Sequence, residues 1–119
     1  MWSERQADPL RILVSIAPRS YREAVALTLM KDRPHLEVRI ATPEDLDREV
    51  GHFEPHLVVC NEVSLLVREN VPSWVQILFE DGLDALVSVG GQEPSEIHDI
   101  SMDDLFGVID ETKEIVSRR

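Results

Sequence analysis

Apolar and polar positions along the chain fall into short aliphatic runs separated by stretches with helical spacing. Leu10 to Ile16 reads Leu-Arg-Ile-Leu-Val-Ser-Ile, a nearly continuous aliphatic run suited to a strand buried on both faces. Ala17-Pro18-Arg19 breaks it, and Ser20 stands where it can cap a following helix. In that helix Ala24, Leu27 and Lys31, with Val25 and Thr28, recur at helical intervals, and Arg33-Pro34 stops it. Leu36 to Ile40 alternates apolar and polar with period two, the pattern of a half-exposed edge strand. Thr42-Pro43-Glu44-Asp45 predicts a helix start, with Thr42 as N-cap, proline at the first helical position and acids in the electropositive first turn. The helix runs to about Phe53, Pro55 ends it, and Leu57 to Cys60 forms the next strand. Strand, helix, strand, helix, strand implies a parallel sheet with helices on its faces and right-handed crossovers.

The pattern then changes. Val63, Leu66 and Val67 place a short helix within 62–70, and Trp74 to Phe79 reads as a strand. Glu80-Asp81-Gly82-Leu83-Asp84 is a turn with Asp-Gly at its centre, and Ala85 to Val89 is another strand. Two strands joined by so short a turn run antiparallel, because a parallel return needs a crossover of about a dozen residues. Gly90 to Pro94 reads as a loop. Ser101 with Asp104 makes a capping pattern for a last helix over Met102 to Ser117, with Leu105, Val108, Ile109, Thr112, Ile115 and Val116 on its inner face. The expected organisation is a polar lead-in over 1–9 and a single α/β domain over 10–119.

Charge narrows the function. The chain has 119 residues and a formal net charge of -11; residues 1–69 carry 12 acids and 9 bases, and residues 70–119 carry 11 acids and 3 bases. Such a field repels phosphate backbones and anionic lipid, so neither nucleic acid nor membrane is an expected partner. No N-terminal basic segment leads into an apolar one, and no apolar stretch approaches the roughly 20 residues of a membrane span, which predicts a cytoplasmic protein. Cys60, the single cysteine, lies inside an apolar run and reads as a buried hydrophobe. His52 and His56 have the spacing of two ligands on one helix face, but Pro55 between them ends the helix. His35 and His98 are isolated in sequence. Acids at 80, 81 and 84 serve the turn, and those at 99, 103 and 104 serve the start of the last helix. No metal site, cofactor or enzymatic acid/base pair is expected.

From Arg11 to about Asn61, ending in Pro55-His56-Leu57-Val58-Val59-Cys60-Asn61, the chain resembles the first half of a receiver domain of the bacterial response-regulator family. The resemblance implies a three-layer, flavodoxin-like open sheet of strand order 2-1-3-4-5. The hairpin would replace that family's fourth helix, leaving the last edge strand antiparallel. A receiver active site needs an acid pair for Mg²⁺, an acceptor aspartate, a hydroxyl and a lysine, which together neutralise a transferring phosphoryl group. These positions fall here at Ile16 and Ala17, at Asn61, near Phe79 and near Gly90. None offers the required group, and an amide is no substitute for a carboxylate nucleophile.

The resemblance therefore implies a non-catalytic pseudo-receiver in signal transduction, acting through a protein partner or as a homodimer. The apolar hairpin residues Val75, Ile77, Phe79, Val87 and Val89, left without their covering helix, are the expected interaction surface. The alternative is a small-anion or nucleotide binder at the carboxyl ends of the strands. There the 17–22 loop meets Asn61, and Ser20, free helix-start amides and Arg19 or Arg22 could hold an anion.

Overall fold

The computed structural model describes residues 9–78 and 83–118. The chain forms β1 (Arg11–Val14), α1 (Arg19–Asp32), β2 (Glu37–Ile40), a 3-10 turn (Pro43–Asp45) running into α2 (Leu46–Phe53), and β3 (Leu57–Cys60). There follow α3 (Leu65–Asn70), β4 (Ser73–Leu78), β5 (Asp84–Val89), β6 (Ser95–Ile97) and α4 (Met102–Ser117). The six strands make one open mixed sheet of order β2-β1-β3-β4-β5-β6. The first four strands in this order are parallel; β5 and β6 are antiparallel additions. This α/β architecture is compatible with a flavodoxin-like fold. No helix among the described residues is long and apolar enough to cross a membrane.

Period-two alternation along β1, β3, β4 and β5 feeds two separate cores. Ile12, Val14, Leu57, Val59, Val75 and Val87 turn to the face covered by α1 and α4, where Ala26, Leu29, Leu105, Val108 and Ile109 meet them. Leu13, Val58, Cys60 and Trp74 turn to the other face, under Leu46, Val50 and Phe53 of α2 and Val67 of α3. β1 and β3 are buried on both sides, as their unbroken aliphatic runs require. On the α4 side a buried polar pair is satisfied internally: the Thr112 hydroxyl lies 2.8 Å from Ser73 Oγ and 2.8 Å from the Val108 carbonyl.

Three expectations need correction. Pro18, not Ser20, is the N-cap of α1, and no side chain caps that helix. Its buried stripe is Arg22, Ala26 and Leu29, whereas Leu27 is 65% exposed, since each residue turns about 100° from the last and Leu27 leaves the stripe after Ala26. The antiparallel edge is β6 rather than β5: Gly90 and Gly91, at φ of 62° and 79°, reverse the chain so that Ser95–Ile97 pairs with β5. A three-residue strand is too short to show a period.

The third correction concerns the hairpin. Val75, Ile77, Val87 and Val89 are not a free surface; all four are buried under α1 and α4. Phe79, like the turn acids Glu80 and Asp81, lies outside the described residues. A right-handed crossover from β4 to a further parallel strand would run in the same direction as β3 to β4, and so would place its helix on the α3 face. The face without that helix carries Gln76, Leu78, Asp84, Leu86 and Ser88, a largely polar set that has less need of cover.

Candidate functional site

At the carboxyl ends of the parallel strands, Asn61 ties the surrounding elements together. Its Oδ1 accepts a hydrogen bond from the Ala17 backbone N–H at 2.6 Å, and its Nδ2 donates to the Ile77 carbonyl at 3.4 Å. Its own carbonyl accepts from Gln76 Nε2 at 3.0 Å. The ends of β1, β3 and β4 are thus joined through one amide. This arrangement uses an amide's ability to accept on one atom and donate on the other. A carboxylate in the same pose would aim an oxygen at the Ile77 carbonyl and lose that bond.

Among the described residues no activated nucleophile stands nearby. Burial, with the Glu62 carboxylate adding to it, pushes the Cys60 thiol up to about 12, so it stays protonated and inert at neutral pH. Ser15, just past β1, is buried, and its Oγ has no hydrogen-bond partner among the described residues. The positions that would hold a Mg²⁺ acid pair present the Ile16 side chain to the core and the Ala17 N–H to Asn61.

The anion candidates are only partly brought together. Arg19 folds along the outside of α1 onto Glu23 at 2.7 Å, which neutralises it. Ser20 is exposed within the first turn, while Arg22 is 9% exposed and reaches back to the Ile16 carbonyl at 3.4 Å. The first turn of α1 holds no acid. His52 and His56 do not form a metal pair: His56 leaves the helix, and its Nδ1 accepts from the Arg11 N–H at 2.9 Å.

Beside this region an apolar cleft of about 300 Å³ opens between α1 and the start of α4. Tyr21, Ala24, Val25 and Thr28 form one wall, Ile100, Met102 and Leu105 the other, and Ile16, Val59, Val75 and Ile77 the floor. Sequence reasoning also missed a cluster of Asp84, Glu96 and His98, the one group of three potential metal ligands found among the described residues. Its signal would have been the Glu-x-His alternation at 96 and 98, readable only once β6 is known to be a strand. Compared with family models, curated proteins and solved structures, the chain matches none.

Proposed function

We propose that this chain is a non-catalytic, receiver-like module that acts by binding a protein partner and is not phosphorylated by the receiver mechanism. The observation that carries the reading is Asn61: at the acceptor position stands an amide already engaged on both sides, to Ala17 and to Ile77. The α1–α4 cleft supplies an apolar surface beside it, with a lining suited to inserted side chains. With a net charge of -11, two copies repel each other. The complementary partner is a different, cytoplasmic protein that presents apolar side chains flanked by Lys or Arg.

Intact-mass analysis after incubation with acetyl phosphate and Mg²⁺ tests the non-catalytic part. Neither the wild type nor Asn61→Asp is expected to gain a phosphoryl group, and uptake by either overturns the reading. Light scattering at micromolar concentration and low salt tests the choice of partner: a monomer is expected, and a stable dimer overturns the heterologous partner.

Arg22 favours a second reading, small-anion binding at the start of α1. A guanidinium carries five donors, and this mostly buried one makes a single long hydrogen bond among the described residues. Thermal shift with phosphate and sulfate tests it, with stabilisation expected in the wild type and lost in Arg22→Gln.

A further inference from the structure

The face of the β4–β5–β6 ribbon that lacks a helix carries three side chains with metal-ligand chemistry. Asp84 opens β5, Glu96 is the middle residue of β6, and His98 comes just after β6. Leu86 pairs with Glu96 and Ala85 with Ile97, so the next step along the ladder sets Asp84 across from His98. Residues two apart on a strand share a face, and a directly opposite residue shares it too, with Cβ atoms about 5 Å away. The ladder thus aims three donors at one point. His98 Nδ1 lies 3.6 Å from Asp84 Oδ2, His98 Nε2 lies 3.6 Å from Glu96 Oε1, and one donor atom from each residue falls within 4.8 Å of the others.

We propose that Asp84, Glu96 and His98 form a binding site for a divalent first-row transition metal, with Zn²⁺ the best match. One imidazole and two carboxylates suit such an ion, whereas Mg²⁺ and Ca²⁺ favour oxygen donors alone. Zn²⁺ binds these groups at about 2.1 Å, which puts tetrahedral donors about 3.4 Å apart. One carboxylate oxygen already stands 3.6 Å from the ring nitrogen it faces, and the other, which faces the opposite ring nitrogen, reaches the same ion once the exposed Glu96 and His98 side chains turn. The metal takes one ring nitrogen of His98 and leaves the other to solvent. The Asp99 N–H donates to Asp84 Oδ1 at 3.0 Å, which fixes the carboxylate and leaves Oδ2 facing His98. Two carboxylates around one imidazole leave net negative charge, and the acidic C-terminal half of the chain adds to the attraction for a cation. The remaining coordination position points to solvent, available to water or to a donor from another molecule. The site stands independently of the partner-binding reading and survives its failure.

Isothermal titration calorimetry of the chelator-treated full chain with Zn²⁺ tests the site. One equivalent is expected to bind, and His98→Ala and Asp84→Asn are each expected to weaken it by about tenfold or more, while His52→Ala leaves it unchanged. His98 is largely exposed, so its removal spares the fold, which circular dichroism verifies. Mn²⁺ should broaden the amide resonances of 84–86 and 95–99. An absence of binding at millimolar Zn²⁺, affinity unchanged in both variants, or broadening centred elsewhere overturns the proposal.

Discussion

The two faces of the β4–β5–β6 ribbon come from the same three strands and meet opposite surroundings. Toward α1 and α4 the ribbon presents Val75, Ile77, Ala85, Val87 and Val89, all buried in one continuous core. Away from them it presents Gln76, Leu78, Asp84, Ser88 and Glu96, with Trp74 buried in the second core under α2 and α3 and Leu86 packed at its margin. β1 and β3, covered on both sides, show no such division. The contrast shows that the ribbon does not expose an apolar face lacking a lid. Where no helix covers the sheet, its residues are mostly polar, and the packing there requires no second subunit.

Adjacent substitutions on β4 probe this contrast most sharply. Val75→Lys would bury an unpaired charge at a position with 0% exposure and should cost more than about 4 kcal/mol, much of the stability of a domain this size. Gln76→Leu, one residue along and on the other face, removes only the hydrogen bond to the Asn61 carbonyl and should cost about 1 kcal/mol. Equal costs in urea unfolding would remove the distinction between the faces.

A smaller effect is expected where β5 turns toward β6. Gly90 has a φ of 62°, and a Cβ there would lie 2.8 Å from Ile115 Cδ1 of α4. Gly90→Ala should cost about 1–2 kcal/mol, mostly from the backbone, because the terminal methyl of Ile115 can move aside. Adding Ile115→Val should recover little of that loss; full recovery would show that contact with α4, rather than φ, sets the requirement for glycine.

Next in size is the cap of the helix that covers the ribbon. Ser101 Oγ accepts from the Asp104 N–H at 3.2 Å, and Asp104 Oδ2 accepts from the Ser101 N–H at 3.0 Å. Ser101→Ala should cost about 1 kcal/mol in the same unfolding experiment.

This cap was readable from the chain because it is local: Ser101 and Asp104 stand three apart, and α4 spans Met102–Ser117 as its spacing predicts. β3 and the antiparallel pairing of β4 with β5 were equally legible, since an aliphatic run and a short connection leave few alternatives. The burial of Val75 and Val87 was not, because alternation tells which residues share a face but not which helix will lie on it. Leu27 illustrates the same limit within a helix, where two apolar stripes compete and only packing against the sheet selects one. At the strand ends, the sequence shows that position 61 is an amide, but not what that amide holds. Its bonds to Ala17 and Ile77 span 44 and 16 residues and depend on strand order. The Asp84, Glu96 and His98 cluster was hidden for the same reason, as its parts meet only across the β5–β6 ladder.

The smallest effect concerns an ion pair that joins the two helices of the covered face. Arg33, just past α1, makes bonds of 2.7 and 3.4 Å to the two carboxylate oxygens of Asp110 on α4, and its guanidinium stacks 4.7 Å from the Phe106 ring centroid. The hydrogen bond from Arg33 holds the Asp110 carboxyl below its usual range. A carboxyl whose folded value is depressed stabilises the fold above its unfolded value, about pH 3.9, and loses that contribution as pH falls through the lower folded one. The Asp110 side chain is 58% exposed, so solvent screens the pair and its worth is below about 1 kcal/mol. Asp110→Asn should therefore lower the melting temperature by no more than about 4 °C at pH 7, with the gap closing as pH falls below the unfolded value of about 3.9. A larger loss at pH 7, approaching that of Val75→Lys, would mean that charge rather than apolar burial holds α1 and α4 against the sheet. The division between the ribbon's two faces would then need a different physical cause.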